Sequence, residues 1–165
     1  MKHRISRFLI QNGGVLLPFA VFLVIYFVGG QLYPAMQKPQ VFFNLFINDS
    51  SLLLVAIGMT MVILTGGIDL SVGGIIALVS TASAAMLRDG VSAYIVMPLM
   101  IVIGVSLGAL MGWIIQDLKV QPFIATLMGL FFARGLAYII SLTSVPIRNE
   151  VYKTIALTPI YIPFF

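Results

Sequence analysis

The sequence contains no cysteine and only one histidine, His3. The absence of cysteine excludes disulfides, thiolate metal sites and cysteine nucleophiles. A single histidine in a basic leader has no partners with which to build a metal site or a catalytic triad. No glycine cluster precedes Lys-Ser or Lys-Thr, so the sequence lacks the pattern of a phosphate-binding loop. We therefore expect no metal site and no intrinsic catalytic activity.

Charge is also scarce, because only 8% of the residues are charged whereas 61% are hydrophobic. Soluble domains carry about a quarter charged residues, so the mean hydropathy of +1.12 indicates an integral membrane protein. Three of the nine cations, Lys2, Arg4 and Arg7, lie in the first seven residues. This placement predicts a multi-pass protein with a cytoplasmic N-terminus and does not suggest nucleic-acid binding.

Glycine-punctuated apolar runs predict an all-α fold, a polytopic transmembrane helical bundle. About five spans are expected, at residues 15–33, 51–65, 70–87, 94–115 and 122–141. Loops are expected at residues 34–49 and 146–153. An apolar segment begins at Ile155 and stops after 11 residues, too few to cross a bilayer. We expect this segment to be an incomplete sixth span, and residues 1–165 to be one transmembrane domain that is truncated at its C-terminus.

The most informative stretch is residues 66–74, GGIDLSVGG, which lies between two apolar runs. Its glycines predict a broken helix, since they release the backbone from regular helix geometry. Asp69 is the only ionisable residue between Ser50 and Leu87. A carboxylate in such a place must be neutralised, paired or hydrogen-bonded. A helix break, one acid and one hydroxyl, that of Ser71, therefore coincide inside an apolar region.

Two interpretations of Asp69 remain open, and they are compatible. Asp69 could cap the third span by accepting backbone amides, or it could belong to a translocation pathway or gate. Ser71 has the same two interpretations. We assign Gly66, Gly67, Asp69, Ser71 and Gly73 to the candidate pathway.

Two further features of the spans are candidates for function. Arg134 is an intramembrane charge, which either pairs with an acid or helix-end carbonyls or lines a pathway. Gly104, Gly108 and Gly112 follow one another at four-residue steps, so they form a small-residue ridge on the fourth span. Such a ridge allows close helix packing, either within the chain or between subunits.

Two motifs in this sequence resemble a known family. Residues 58–73, GMTMVILTGGIDLSVG, are similar to the signature of the membrane permease subunits of bacterial sugar ABC importers. Residues 120–127, VQPFIATL, and residues 133–136, ARGL, match the same group in the same order. This group serves ribose, xylose, arabinose and galactose-type sugars and autoinducer-2, and the resemblance covers the N-terminal half of a member.

The resemblance implies a transmembrane permease domain in the bacterial inner membrane that forms part of a sugar pathway. It implies no bound cofactor and no ATPase activity of its own, because a separate ATP-binding cassette subunit binds ATP. A periplasmic sugar-binding protein, a second permease subunit, identical or different, and membrane lipid are the other implied partners. The family's segment that docks on the ATPase belongs to the half that this sequence does not contain.

Two alternatives come from other classes of protein. A secondary transporter could use Asp69 and Arg134 as ion-coupling charges, since broken helices occur at the midplane of such carriers. The chain could also be a non-transporting, truncated membrane fragment. Uptake driven by an ion gradient would favour the first alternative, and a deletion without any uptake defect would favour the second.

Overall fold

A computed structural model describes the backbone of residues 2–157 and the side chains of residues 12–155. Over this part the chain forms seven α-helices and one short 3-10 helix, Pro34–Gln37. The α-helices are α1 Lys2–Leu32, α2 Pro39–Asn48, α3 Ser50–Leu64, α4 Ser71–Arg88, α5 Ala93–Gln116, α6 Pro122–Ile140 and α7 Glu150–Leu157. The predicted all-helical fold is therefore confirmed.

Four helical segments are long and apolar enough to cross a membrane: Asn12–Leu32, Ser71–Arg88, Ala93–Gln116 and Pro122–Ile140. Helices α2 and α3 make a fifth candidate if they form one span, because the two are bent by 55° at the break between them. Most large apolar side chains on these helices are exposed, as expected for surfaces that face lipid or further helices. Four to five spans agree with the prediction, and the end of the proposed sixth, residues 158–165, lies outside the described residues.

The prediction of a loop at residues 34–49 was wrong, because most of this stretch is helical. Pro39 occupies the first turn of α2, where its fixed φ favours a helix and its missing N–H is not needed. Phe42 packs edge-on against Tyr26 of α1, with ring centroids 5.7 Å apart. The side chain of Gln37 donates a hydrogen bond to the carbonyl of Gly30 at 2.8 Å. These aromatic and polar contacts fold the segment back on the end of α1.

The chain forms two compact units, Met1–Leu54 and Val55–Phe165. The predicted single domain over residues 1–165 stays a prediction. The second unit contains α4, α5 and α6, with α4 packed on both of the other two helices. Its buried apolar core consists of Leu78 from α4 with Ala133 and Ala137 from α6.

Helices α4 and α6 run parallel, since contacts advance along both helices in the same direction. Ser71 lies beside Gly129, Gly74 lies beside Leu130, and Leu78 packs with Ala137. An alanine Cβ at Gly74 would stand 2.6 Å from the carbonyl oxygen of Leu130. This separation is possible only without a side chain, so the two backbones approach closely at Gly74.

The parallel arrangement places equivalent ends of α4 and α6 together. One end of the three-helix bundle carries the chain break at residues 65–70 and the α5–α6 connection at residues 117–121. The other end carries the turn after Arg88 and the irregular segment at residues 141–149, followed by α7. The polar loop predicted at residues 146–153 is therefore shorter than expected, because helix starts again at Glu150.

Candidate functional site

The break in the apolar region is built by the two glycines that end α3. Gly66 has a φ of +76°, a left-handed conformation that glycine adopts without steric penalty. The amide of Gly66 donates to the carbonyl of Ile63, and the amide of Gly67 donates to the carbonyl of Val62. This pair of hydrogen bonds is the Schellman arrangement, which satisfies carbonyls at the end of a helix. The following helix begins at Ser71, so the prediction of a broken helix at residues 66–74 was too long, and Gly73 and Gly74 lie inside α4.

Asp69 and Ser71 form a local hydrogen-bonded pair at the start of α4. The Oδ1 atom of Asp69 accepts the backbone amide of Ser71 at 2.8 Å and the Ser71 hydroxyl at 2.6 Å. The N-cap residue is Leu70 and not Asp69, so the acid acts from one position before the cap. The Ser71 side chain is buried, at 1% exposure, and Asp69 is half-buried. The interpretation of Asp69 as the N-cap was wrong by one residue, although its carboxylate accepts one backbone amide at the start of α4, as that interpretation expected.

The side chain of Thr126 in α6 forms a hydrogen bond with the backbone of the break. Its hydroxyl oxygen lies 3.0 Å from the carbonyl of Ile68 and 2.8 Å from the carbonyl of Pro122 in its own helix. The hydroxyl has one proton to donate, and the carbonyl of Phe123, at 3.4 Å, is a third acceptor within reach. Because Thr126 is 3% exposed, the contact gives the carbonyl of Ile68 a donor within protein. The irregular backbone is thereby attached to the first turn of α6.

Replacement of Thr126 with valine should therefore loosen the break. Valine keeps the shape of threonine and removes the donor, so we expect the free energy of unfolding to fall by about 1 kcal/mol. Unfolding by sodium dodecyl sulfate, followed by circular dichroism, measures this change. Thr60→Val is the matched control, since the exposed Thr60 hydroxyl bonds only Ala56 of its own helix. Equal losses in the two variants would contradict a special role for Thr126.

A cleft of about 390 Å³ opens beside the break. Its walls come from the end of α3, the break, the C-terminal half of α5 and the start of α6. The lining residues are Val62, Thr65, Gly67, Ile68, Asp69, Gly108, Met111, Gly112, Ile115, Gln116, Pro122 and Thr126. The cleft thus presents apolar walls with hydroxyl, carboxylate and amide groups, which can hydrogen-bond a neutral polar ligand.

The glycine ridge of α5 lies partly on this cleft. Gly108 and Gly112 line the cleft, and a Cβ at either would meet no atom within 4 Å. Gly104 would make only an ordinary contact, 3.9 Å from Ile75. The predicted role of the ridge in helix packing stays a prediction. The close approaches in this bundle occur instead at Gly74 and Gly129.

Arg134 lies apart from the cleft. It is exposed on α6, eight residues beyond Thr126 and so about 12 Å farther along the helix axis. Among the described side chains the ion pairs are Arg88–Asp89 and Lys153–Glu150, so Arg134 and Asp69 do not form an ion pair with each other. The function of Arg134 in a pathway stays a prediction.

The structure brings Gly67, Asp69 and Ser71 together with residues that the sequence analysis did not select. Thr126 lies inside the quoted VQPFIATL motif, so the motif was a signal for the segment although not for this residue. Gly129 has no comparable signal, since its role arises from the side chains of Ser71 and Met111 that lie 3.2 and 2.8 Å from its Cβ position. Gly66 and Gly73, also assigned to the pathway, are exposed and are not among the lining residues.

Comparison with known proteins decides the family. Residues 41–161 match the family described as the permease component of the branched-chain amino acid transport system. The chain belongs to this permease family. Membership agrees with a multi-pass membrane protein, and together with the relatives named in the next paragraph it confirms the resemblance that the two motifs predicted. No solved structure gives a significant match to the chain.

Curated relatives of this permease family include importers named for sugars. The inner membrane ABC transporter permease protein YjfF of Escherichia coli is 38% identical over 88% of this chain and 44% of its own length. The fructose import permease protein FruG of Bifidobacterium longum is 42% identical over 75% of this chain and 36% of its own. The ribose import permease protein RbsC of Haemophilus influenzae is 33% identical over 82% of this chain and 41% of its own. The chain thus spans less than half the length of each of these relatives.

Proposed function

We propose that this chain forms part of the permease subunit of an ATP-driven sugar importer. The observation that carries the proposal is the 390 Å³ cleft beside the chain break at residues 65–70, in a bundle of helices long and apolar enough to cross a membrane. Sugars are neutral and rich in hydroxyls, so they require groups that donate and accept hydrogen bonds, and an ionised carboxylate is an acceptor for hydroxyls. Thr65, Asp69 and Gln116 offer such groups to the cleft, and the names of the relatives support sugar as the cargo.

The same proposal defines the partners and the orientation. A separate ATP-binding cassette subunit binds ATP, so this chain holds no cofactor and performs no ATP hydrolysis. A periplasmic sugar-binding protein delivers the substrate, and a second permease subunit, identical or different, completes the pathway. The basic leader supports an N-terminus in the cytoplasm of a bacterium, with the spans in the inner membrane. Family membership supports these partners as a class.

Uptake of labelled sugars tests the proposal. The coding sequence is deleted in its host and restored from a plasmid, and uptake of ribose, fructose and galactose is followed. We expect deletion to abolish most uptake of at least one sugar and the plasmid to restore it. Uptake should continue when a protonophore collapses the proton gradient and should stop when cellular ATP is depleted.

Two results would reject the proposal. Uptake that stops with the proton gradient while ATP remains would favour an ion-coupled carrier. Unchanged uptake after deletion, with the chain normally inserted in the membrane, would favour a non-transporting membrane protein. Membrane insertion is checked by fractionation, so loss of the protein is distinguished from loss of its activity.

A further inference from the structure

A second cleft lies at the end of the bundle opposite the break. It has a volume of about 370 Å³ and lies between the C-terminal end of α4 and the segment that precedes α7. Its lining residues are Leu87, Arg88, Val145, Pro146, Arg148 and Asn149. Two arginines from separate parts of the chain therefore line one cleft, and neither has a role in the proposed sugar pathway.

The fold holds these two arginines in place. Asn149 caps α7, since its Oδ1 atom accepts the amide of Val151 at 3.0 Å. Tyr152, one turn into α7, shares a hydrogen bond of 2.8 Å with the buried Ser83 of α4. The segment that carries Arg148 is thus fixed to the helix that ends at Arg88. The position of the segment on one side of the cleft is therefore set by hydrogen bonds to α4 and within α7.

The cleft has an excess of positive charge. Arg88 pairs through its Nε atom with Asp89 at 3.1 Å, which engages one of the five N–H donors of a guanidinium. Arg148 forms no ion pair with any described side chain, and none of the lining residues is acidic. A planar guanidinium matches the oxygens of phosphate and carboxylate groups, to which it can donate two parallel hydrogen bonds.

The position of the cleft favours phosphate. Arg88 is the last residue of a membrane-spanning helix, and α6 ends at Ile140 on the same side of the bundle. The cleft therefore lies where the hydrocarbon gives way to lipid headgroups. Leu87, Val145 and Pro146 supply an apolar wall next to the two cations. We propose that Arg88 and Arg148 bind a phosphate group, supplied by an anionic phospholipid.

Lipid binding to the purified, delipidated chain in detergent tests this site. Native mass spectrometry is used to titrate the chain with phosphatidylglycerol, with zwitterionic phosphatidylcholine and with inorganic phosphate. Phosphatidylglycerol should bind more tightly than phosphatidylcholine, and Arg148→Gln should weaken its binding roughly tenfold through loss of a charge-assisted contact. Arg148→Lys should retain part of the affinity, because lysine keeps the charge without the planar fork.

Lys119→Gln is the matched control, since it removes one exposed cation at the opposite end of the bundle. It should leave phosphatidylglycerol binding unchanged. If inorganic phosphate binds with the same dependence on Arg148 and the lipid does not, the phosphate site stands and its ligand is a free phosphate. The proposal is overturned if neither probe binds, or if Lys119→Gln and Arg148→Gln weaken lipid binding equally.

Discussion

Replacement of Gly74 with alanine is expected to disrupt the packing of α4 on α6 and to lower the free energy of unfolding by about 2–3 kcal/mol. The new Cβ would stand 2.6 Å from the carbonyl oxygen and 3.0 Å from the Cα of Leu130. Both atoms belong to the backbone of a helix, so no side-chain rotation can relieve the overlap. The helices must separate, and the contacts around Leu78, Ala133 and Ala137 would loosen with them.

The matched control is Gly135→Ala, which makes the same chemical change in α6. A Cβ at Gly135 would meet no atom within 4 Å, and alanine favours helix over glycine by up to about 1 kcal/mol. Unfolding in detergent with sodium dodecyl sulfate measures both variants. We expect Gly135→Ala to match or exceed the wild type in stability. A Gly74→Ala variant as stable as Gly135→Ala would contradict the close approach of α4 and α6.

The sequence predicted the spans well because long apolar runs are a local signal. The helices at residues 71–88, 93–116 and 122–140 begin and end within one residue of the predicted limits. Helix α2 was missed because Lys38, Pro39 and Asn48 were weighed as loop residues. Pro39 in the first turn was a local signal for this helix, but the packing of Phe42 on Tyr26 joins α2 to another helix. Such contacts are not visible in a local pattern.

In the candidate site, too, the features set by neighbouring residues were predictable and those set by helix packing were not. The helix break and the pairing of Asp69 with the start of α4 were predictable, because glycines and a capping acid act within a few residues. The contact of Thr126 with Ile68 crosses 58 residues of sequence, and it required the parallel packing of α4 and α6. The shape of the cleft also depends on the C-terminal half of α5, which forms one of its walls. Periodicity indicates which face of a helix is small or apolar, but it does not indicate which helix covers that face.

The backbone groups in the break need hydrogen-bond partners from outside a regular helix. Between Thr65 and Ser71 the regular helical hydrogen bonds are interrupted, and a buried backbone group left without a partner costs about 1–3 kcal/mol. Three devices meet this demand: the glycine turn at the end of α3, the Thr126 hydroxyl at Ile68, and the Asp69 carboxylate at Ser71. Of the three, only the carboxylate is charged. Its hydrogen bonds to Ser71 affect folding stability, and its charge can affect transport, so the two effects must be measured separately.

Two substitutions of Asp69 should separate them. Asp69→Ala removes the acceptor of the Ser71 amide and leaves the buried Ser71 hydroxyl without its partner. We expect the free energy of unfolding to fall by about 1–3 kcal/mol. Asp69→Asn keeps an oxygen at the accepting position and removes the charge, so its stability should stay close to that of the wild type. Asp117→Ala is the control, since it removes an exposed acid next to the end of α5.

Sugar uptake by the same variants then identifies what the charge does. If Asp69 acts only as a cap, Asp69→Asn should transport normally, and Asp69→Ala should lose uptake in proportion to its lost folded protein. If the pathway requires a negative charge, both variants should lose uptake, although only Asp69→Ala is unstable. We expect the second pattern, because the half-buried carboxylate lines the 390 Å³ cleft and an ionised carboxylate accepts hydrogen bonds from sugar hydroxyls more strongly than a neutral amide does. Normal stability and uptake in Asp69→Ala would refute both roles, since no contact at the break would then depend on this side chain.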